Sequence, residues 1–322
     1  MAKRVFLTLL IVVVALAAIQ LTAGFREEHA ESRYPPQGEV LEVDGVEVHA
    51  EIFGDGPDLI LVHGASGNTR DFTFSLVEAL QDRYRVIVFD RPGLGWTERP
   101  DRYAGAWNSS AESPHMQAEL LRKAARQLGV ERPLVLGHSY GGAVAMAWAL
   151  DHPDTAGAIM VSAASHPWPG ELHWQYPVSA SPTGGALLVP LVTAFTPTFV
   201  VDNILESLFE PQAVPDGYRQ HVGVGLTLRR ASQRANARQV NSLRPHLVDM
   251  SEEYPRLTLP IEIVHGDADT IVPLEVHSAP LAKRVESANL TVLEGVGHMP
   301  HHVAQDAVIA AIDRAADRAG LR

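Results

Sequence analysis

The chain has 322 residues, of which 46% are hydrophobic and 20% are charged, and these proportions are typical of a folded globular protein rather than a disordered one. The net charge of −12 disfavours nucleic acid or an anionic membrane surface as a general partner. Because the chain contains no cysteine, the sequence excludes disulfides, thiolate nucleophiles and cysteine-based metal sites.

The N-terminus is predicted to hold a membrane anchor. Lys3 and Arg4 precede the uncharged segment 5–25, VFLTLLIVVVALAAIQLTAGF, and about 20 apolar residues are enough to cross a bilayer. Basic residues before the segment predict that the N-terminus lies inside and the body of the chain outside, on the periplasmic or extracellular side. A cleaved secretory signal, with a small-residue site at 15–17, and a buried core helix remain as alternatives; the first would yield a secreted protein. Residues 1–25 are therefore assigned to the anchor or signal and 26–37 to a linker.

Residues 38–322 carry an alternation of strands and helices. Two short strands flank Asp44-Gly45, a hairpin signal. Six apolar runs without polar alternation follow, at 58–64, 84–90, 133–139, 157–163, 261–266 and 290–295. Strands that are apolar on both faces belong in parallel sheets covered by helices, and the segments 112–129, 141–152, 276–285 and 302–319 have helical periodicity. The pattern predicts an open α/β sheet.

One interval, between the strands near 160 and 262, is far longer than a crossover needs. It is interpreted as a helical cap inserted at about 165–257, with helical pieces near 198–209 and 226–248. Most of its aromatic residues are expected to fill the core of the cap itself. They are Trp168, Trp174, Tyr176, Phe195, Phe199, Phe209 and Tyr218.

Ser139 is the candidate nucleophile. It lies in Gly137-His138-Ser139-Tyr140-Gly141, between a predicted strand and a predicted helix. The pattern G-x-S-x-G in this setting forms a sharp turn that presents the serine hydroxyl at the carboxyl end of the sheet. The backbone N–H of Tyr140, at the start of the helix, is a candidate donor to a developing oxyanion.

A serine needs a base, and His298 is the candidate among 15 histidines. It follows the last predicted strand and lies in a loop before the terminal helix, which brings it to the same sheet edge as Ser139. His301 and His302 are rivals, but their position at the start of that helix favours capping or surface roles.

The orienting carboxylate is predicted in the loop after the strand at 261–265. Asp269 is preferred because it lies deeper in the loop than Asp267, which is interpreted as a turn former. The second oxyanion donor is predicted in the loop after the strand at 58–62: the N–H of Ala65, with that of Ser66 as the alternative. His63 and Gly64 are expected to shape this turn, and Asp90 and Arg91 to hold neighbouring loops.

The motifs VHGASG, FDRPGLG, LGHSYGG, HGDADTIVP and GVGHMPHH, in this order, resemble those of the α/β-hydrolase superfamily, in its cap-bearing, esterase-like branch. The resemblance covers roughly residues 38–318. It implies an α/β-hydrolase fold with a mostly parallel eight-stranded sheet, a triad of Ser139, Asp269 and His298, and Ala65 and Tyr140 as oxyanion donors. Epoxide hydrolases and haloalkane dehalogenases share the DRPGLG-type loop but use an aspartate nucleophile, so Ser139 makes both activities improbable.

The predicted function is a serine hydrolase that cleaves an ester, thioester or lactone of an apolar small molecule through an acyl-enzyme. Cofactor-free perhydrolysis or carbon–carbon bond hydrolysis would use the same residues, and a non-catalytic membrane-tethered binding module is a further alternative. No cofactor or metal is expected, since the sequence lacks a P-loop, a dinucleotide glycine fingerprint and a metal-ligand cluster.

Overall fold

The computed structural model describes residues 1–105 and 107–322. Its strands form one eight-stranded sheet in the order β1-β2-β4-β3-β5-β6-β7-β8. β2 is antiparallel to β1 and β4, and every other neighbouring pair is parallel, as predicted. The strands are β1 (Glu39–Val43), β2 (Val46–Phe53), β3 (Asp58–Val62), β4 (Arg85–Phe89), β5 (Leu134–His138), β6 (Gly157–Val161), β7 (Ile261–Gly266) and β8 (Ala288–Leu293).

Helices cover both faces of the sheet. Those outside the long insertion are α1 (Ala2–Arg33), α2 (Arg70–Thr73), α3 (Leu76–Leu80), α4 (Pro114–Gln127), α5 (Tyr140–Asp151), α12 (Ser278–Arg284), α13 (Pro300–Val303) and α14 (Gln305–Arg318). Residues of α4, α5 and α12 pack in the core on one face, and residues of α3 and α14 pack in the core on the other. Every residue of β5 and β6 is buried, which explains why these runs are apolar on both sides.

Six α-helices lie between β6 and β7, and we call them the cap helices. They are α6 (Gln175–Ala180), α7 (Pro182–Phe195), α8 (Thr198–Phe209), α9 (Tyr218–Val222), α10 (Val224–Thr227) and α11 (Arg230–Glu253). The predicted helix at 198–209 is present, whereas the one predicted at 226–248 begins at Arg230 and ends at Glu253. The sequence did not predict α6 and α7 as helices.

The expectation for the cap aromatics is only partly correct. Phe209 and Tyr218 are buried in the cap core, as expected. Trp174, Phe195 and Phe199 are instead exposed. Their side chains therefore contribute to an exposed apolar surface of the cap.

The N-terminal segment is a longer helix than expected. α1 continues to Arg33, so most of the predicted linker 26–37 is helical. The reason is tertiary contact: Arg26 donates to the carbonyl oxygens of Ala194 and Thr196, and Glu27 forms an ion pair of 2.6 Å with Arg230. By length and composition α1 can cross a membrane, with a most apolar window of mean hydropathy 2.7, but a signal sequence passes the same test.

Candidate active site

The carboxyl ends of four parallel strands bring the candidate residues to one edge of the sheet. Ser139 follows β5, Asp269 follows β7 and His298 follows β8, while Ala65 lies in the loop after β3. A cavity of about 400 Å³ opens at this edge, and Ser139, Tyr140 and Ala65 contribute to its lining.

Ser139 occupies a strained turn between β5 and α5. Its φ of 53° and ψ of −119° are unusual for a residue with a side chain. The flanking glycines make the turn feasible, because a Cβ at Gly137 would lie 2.2 Å from the Gly141 carbonyl oxygen. A Cβ at Gly141 would lie 2.1 Å from the carbonyl oxygen of Val62. The turn therefore presents the Ser139 side chain at the apex.

His298 and Asp269 form a buried pair. Nδ1 of His298 donates to Oδ2 of Asp269 at 2.7 Å, and both side chains are buried. Since this bond fixes the proton on Nδ1, Nε2 of the neutral imidazole carries the lone pair that a base needs.

The Asp269 carboxylate is held by further donors. Its Oδ1 accepts from the backbone N–H groups of Ile271 and Val272, both at 2.9 Å, and Nε2 of His265 lies 3.2 Å from Oδ2. Burial alone would raise the pKa of Asp269, but the hydrogen bonds with His265 and His298 outweigh it and lower the pKa. Asp269 is thus an anion beside the imidazole.

Asp267, the alternative acid, is exposed and directed elsewhere. Its Oδ1 accepts from the backbone N–H of Gly295 at 2.7 Å. This bond ties the loop after β7 to the loop after β8, so the acceptor role of Asp267 is a contact between loops and not the local hydrogen bond expected of a turn former.

His298 lies close to the turn that holds Ser139. Nε2 of His138, the residue before Ser139, donates to the His298 carbonyl oxygen at 3.0 Å, and the two imidazole rings are 4.9 Å apart between centroids. Burial, followed by the neighbouring His301 and His298, lowers the pKa of His138. A neutral His138 therefore connects the turn to the loop of His298.

The loop after β3 passes over Ser139, since a Cβ at Gly64 would lie 3.0 Å from the Ser139 Cβ. In this loop the backbone N–H of Ser66 donates to Oδ1 of Asn236 at 2.7 Å. Because that donor is occupied, the geometry favours Ala65 over Ser66 as the oxyanion donor. The N–H of Tyr140 belongs to the first turn of α5, where N–H groups have no partner within the helix.

Loops behind the site are held as expected by Asp90, which accepts from the backbone N–H groups of Thr69 and Trp96, both at 2.8 Å. His63 accepts from the Arg91 backbone N–H at 3.0 Å. The Arg91 guanidinium lies 4.0 Å from the centroid of the Tyr140 ring, and burial lowers the pKa of Arg91 to about 10. Asp90 therefore holds the neighbouring backbone in place, and Arg91 packs against the Tyr140 ring.

The expectation for His301 and His302 is wrong, because both rings are buried rather than exposed. Their Nε2 atoms donate to Oδ2 and Oδ1 of Asp71, at 3.2 and 2.9 Å, and the Tyr218 hydroxyl donates to Oδ1 at 2.8 Å. No local pattern around the histidines predicts these contacts, since Asp71 lies about 230 residues away from both of them.

Asp71, His301 and His302 are also close enough together to hold a metal ion. Hydrogen bonds account for the group without one, because the three donors already occupy the carboxylate and the Nε2 atoms. We therefore interpret the cluster as a buried hydrogen-bond network behind His138.

A family model for the alpha/beta hydrolase fold matches residues 57–305. The chain belongs to the α/β-hydrolase family. The match and the eight-stranded sheet confirm the fold class predicted from the motifs, and they support an enzyme of the hydrolase type.

The chain is also similar to individual known proteins. The hydrolase is 31% identical over 255 residues to the magnesium-chelatase 30 kDa subunit of Rhodobacter capsulatus, covering 78% of this chain and 84% of that protein. It is 26% identical to a pimeloyl-[acyl-carrier protein] methyl ester esterase of Vibrio vulnificus, covering 79% of this chain and 92% of the esterase. A thermophilic esterase from Thermogutta terrifontis has the same fold, with a TM-score of 0.69, 22% identity and coverage of 88% of this chain and 99% of the esterase.

Proposed function

We propose that this hydrolase cleaves an ester-type bond through an acyl-enzyme, with Ser139 as nucleophile, His298 as base and Asp269 as the orienting acid. The observation that carries the proposal is the buried 2.7 Å bond between His298 and Asp269, at the sheet edge where Ser139 occupies a strained turn. This arrangement combines a serine hydroxyl at the cavity wall, an imidazole with a defined tautomer and a fixed negative charge.

In the proposed reaction, Ser139 Oγ attacks the carbonyl carbon while His298 Nε2 takes the hydroxyl proton. The negative charge that develops on the carbonyl oxygen is stabilised by the N–H groups of Ala65 and Tyr140. When the carbon–oxygen bond to the leaving group breaks, His298 returns the proton to that group. Water then attacks the acyl-enzyme by the same route and releases the acid.

The cavity supports an apolar substrate of moderate size. Its wall includes Trp168, Leu172 and Tyr176, together with Val240 and Leu243 of α11. A carboxylic ester, thioester or lactone with an apolar acyl part fits this lining. The methyl ester esterase among the relatives supports the same class of bond.

For the N-terminus we propose an uncleaved anchor with the hydrolase domain, residues 38–322, on the outer side of the membrane. The uncharged run that continues past 15–17 to Phe25 supports the anchor, and contacts of Arg26 and Glu27 with the cap helices hold the C-terminal part of α1 in the folded unit. A signal cleaved near 15–17 would leave these contacts intact, so membrane fractionation of the full chain is the direct test.

The decisive experiment is labelling with a fluorophosphonate probe, which reacts with activated serines. We expect labelling of the native chain, loss of labelling in Ser139→Ala, and retention in Ser242→Ala, because the Ser242 hydroxyl lies in α11 and donates to the Gln239 carbonyl oxygen of the same helix. Absence of Ser139-dependent labelling in folded protein would overturn the proposal and favour the non-catalytic binding module.

The substrate class is tested with p-nitrophenyl esters of increasing acyl length. An apolar cavity predicts that kcat/KM rises from short to medium chains. A preference for charged or very short acyl groups would contradict it, and hydrolysis of carbon–carbon bonds or peracid formation without esterase activity would favour the alternative reactions of the same residues.

A further inference from the structure

We propose that helix α7 and the start of α8 are embedded in the lipid bilayer beside α1, so that the cap, and not α1 alone, contacts the membrane. The proposal rests on the anchor proposed above and deepens the proposed function by naming the lipid phase as the source of the substrate.

The length of the anchor provides the first argument. Residues 5–25 are uncharged, and as a helix they extend about 31 Å, close to the roughly 30 Å of a hydrocarbon core. α1 begins to contact the rest of the chain at Ile19, and Ala23 is fully buried. The free part, residues 5–18, extends only about 21 Å, which is too short to cross.

A full crossing therefore requires residues 19–25 to lie within the hydrocarbon as well. This stretch packs against α7, and Arg26, the first charged residue after it, donates to carbonyl oxygens at the end of α7. If residues 19–25 lie in the hydrocarbon, α7 lies at the same depth. Stopping the bilayer at residue 18 would leave a mismatch of several ångströms, which is unfavourable.

The composition of α7 fits that depth. Its sequence, PTGGALLVPLVTAF, contains no charged residue. Leu187, Leu191 and Phe195 recur every four residues and form one stripe, and they are 59%, 41% and 58% exposed. Such a stripe facing water would be an unusual apolar patch for a soluble protein.

The stripe continues across the bend into α8, where Phe199 is 62% exposed. α7 and α8 meet at a bend of 100° and together pass the length and hydropathy test for a broken or re-entrant membrane segment. On the α1 side, Leu21 and Phe25 are also exposed. The apolar surface is thus shared between the anchor and the cap, which identifies lipid as its occupant.

The catalytic cavity lies next to this surface. α6 packs against α7, and Tyr176 of α6 lines the cavity while Trp174 and Val178 at the same helix are exposed. α6 therefore lies between the cavity and the proposed lipid phase. The substrate class that fits is an ester with a long apolar chain that partitions into the bilayer.

Because the chain has no cysteine, single-cysteine variants place a fluorophore at one chosen site. We would label Leu191→Cys and, as a matched control, Val248→Cys, since the native side chains are 41% and 43% exposed. Val248 lies in α11, 18 residues beyond Arg230, the partner of Glu27, or about 27 Å along the helix. The full chain is reconstituted in phosphatidylcholine vesicles, with or without brominated lipid.

We expect brominated lipid to quench the fluorophore at Leu191→Cys about fivefold more strongly than at Val248→Cys, and aqueous iodide to show the opposite order. Equal quenching by iodide at both sites would overturn the proposal. Shielding of Leu191→Cys from both quenchers would also overturn it, because a second copy of the chain would then cover the stripe.

The substrate part is tested with Leu187→Ser/Leu191→Ser. The ratio of the hydrolysis rate for p-nitrophenyl palmitate in vesicles to that for soluble p-nitrophenyl butyrate should fall about tenfold. An unchanged ratio would contradict the lipid route. Loss of fluorophosphonate labelling at Ser139 concerns the proposed function instead, so the two failures are distinguishable, and the quenching experiment requires no activity.

Discussion

At the scale of single residues, the turn around Ser139 depends on two positions, Gly137 and Gly141, where no Cβ fits. The two flanking glycines face backbone oxygens that cannot move without disturbing β3 or α5. Such a turn places a side chain in an unfavourable backbone conformation, and it persists only because the surrounding sheet is rigid. Local strain and tight packing therefore coincide at the candidate nucleophile.

We expect Gly141→Ala to lower the free energy of unfolding by about 3 kcal/mol, because its Cβ would meet the Val62 carbonyl oxygen. Gly24→Ala is the control, since its Cβ would lie 3.7 Å from the nearest atom, in ordinary contact. Denaturant unfolding measures both. Equal stability of the two variants would contradict the packing argument.

Substitution of the two aspartates in the loop after β7 is expected to distinguish their roles. Asp269→Asn should reduce kcat about 10⁴-fold, because an amide neither stabilises the imidazolium nor holds its tautomer. Asp267→Asn should stay within about twofold of the native rate, since the amide oxygen of asparagine can still accept from the backbone N–H of Gly295. Steady-state kinetics on a p-nitrophenyl ester decides, and a large loss in Asp267→Asn alone would reverse the assignment.

The candidate residues that sequence reasoning identified each follow a strand within a recognisable local pattern. Asn236 and Asp71 have no such pattern, because their partners lie about 170 and 230 residues away in the chain. His301 was misplaced for the same reason: a position beside a helix start says nothing about a distant buried carboxylate. Contacts formed only in the tertiary structure are the part that the sequence does not reveal.

At the scale of secondary-structure elements, α11 of the cap is fastened to the loop that carries Ala65. Asn236 accepts from the Ser66 backbone N–H and donates from Nδ2 to the Ser66 hydroxyl at 2.9 Å. Thr227 of α10 donates to the Ser66 carbonyl oxygen at 2.7 Å. Ser66 has a φ of 57°, so these bonds stabilise an uncommon backbone conformation beside the cavity.

Asn236→Ala should therefore lower kcat about tenfold with little change in KM, because the oxyanion donor loses its fixed position. Asn236→Asp, which keeps the acceptor for Ser66, should restore part of the rate. Ser242→Ala, on the same helix, serves as the control. An increase in KM alone would indicate that Asn236 shapes the substrate cavity instead.

The central strands were predicted to within one or two residues, since buried parallel strands have an unmistakable apolar composition. The cap helices were harder. α7 is apolar nearly all round, so its sequence has no charged face that would mark an amphipathic helix, and α1 extends to Arg33 because Glu27 and Glu31 form ion pairs with the cap. A helix without a distinct polar face has a weaker amphipathic pattern in its sequence, so it is harder to predict.

At the scale of the whole molecule, the interior holds many neutral histidines. Burial is the main cause that lowers the pKa of five of them: His63, His138, His166, His277 and His301. Histidines with a lowered pKa bind protons more readily once the chain unfolds. Their stabilising contribution is present above the unfolded pKa near 6.5 and is lost as the pH falls towards about 4.

We expect the free energy of unfolding to fall steeply between about pH 6.5 and pH 4, by up to about 1.4 kcal/mol per pH unit for each such histidine. His49 acts in the opposite direction, because its bond to Asp90 raises its pKa against the effect of burial. Glu51 acts in the same direction as His49, because burial raises its pKa, but two opposing groups do not cancel five. Denaturant unfolding across this range measures the slope, and a flat profile would contradict the prediction.

The attachment of α1 has a mechanical consequence. α1 packs against α7 and α10, which both belong to the cap, and connects to β1 through the short segment between Arg33 and Glu39. Any hinge motion that opens the cavity would then leave the cap stationary at the membrane and swing the sheet, with Ser139, His298 and Asp269, away from it. In this hydrolase the lid would be the fixed frame and the catalytic core the moving part.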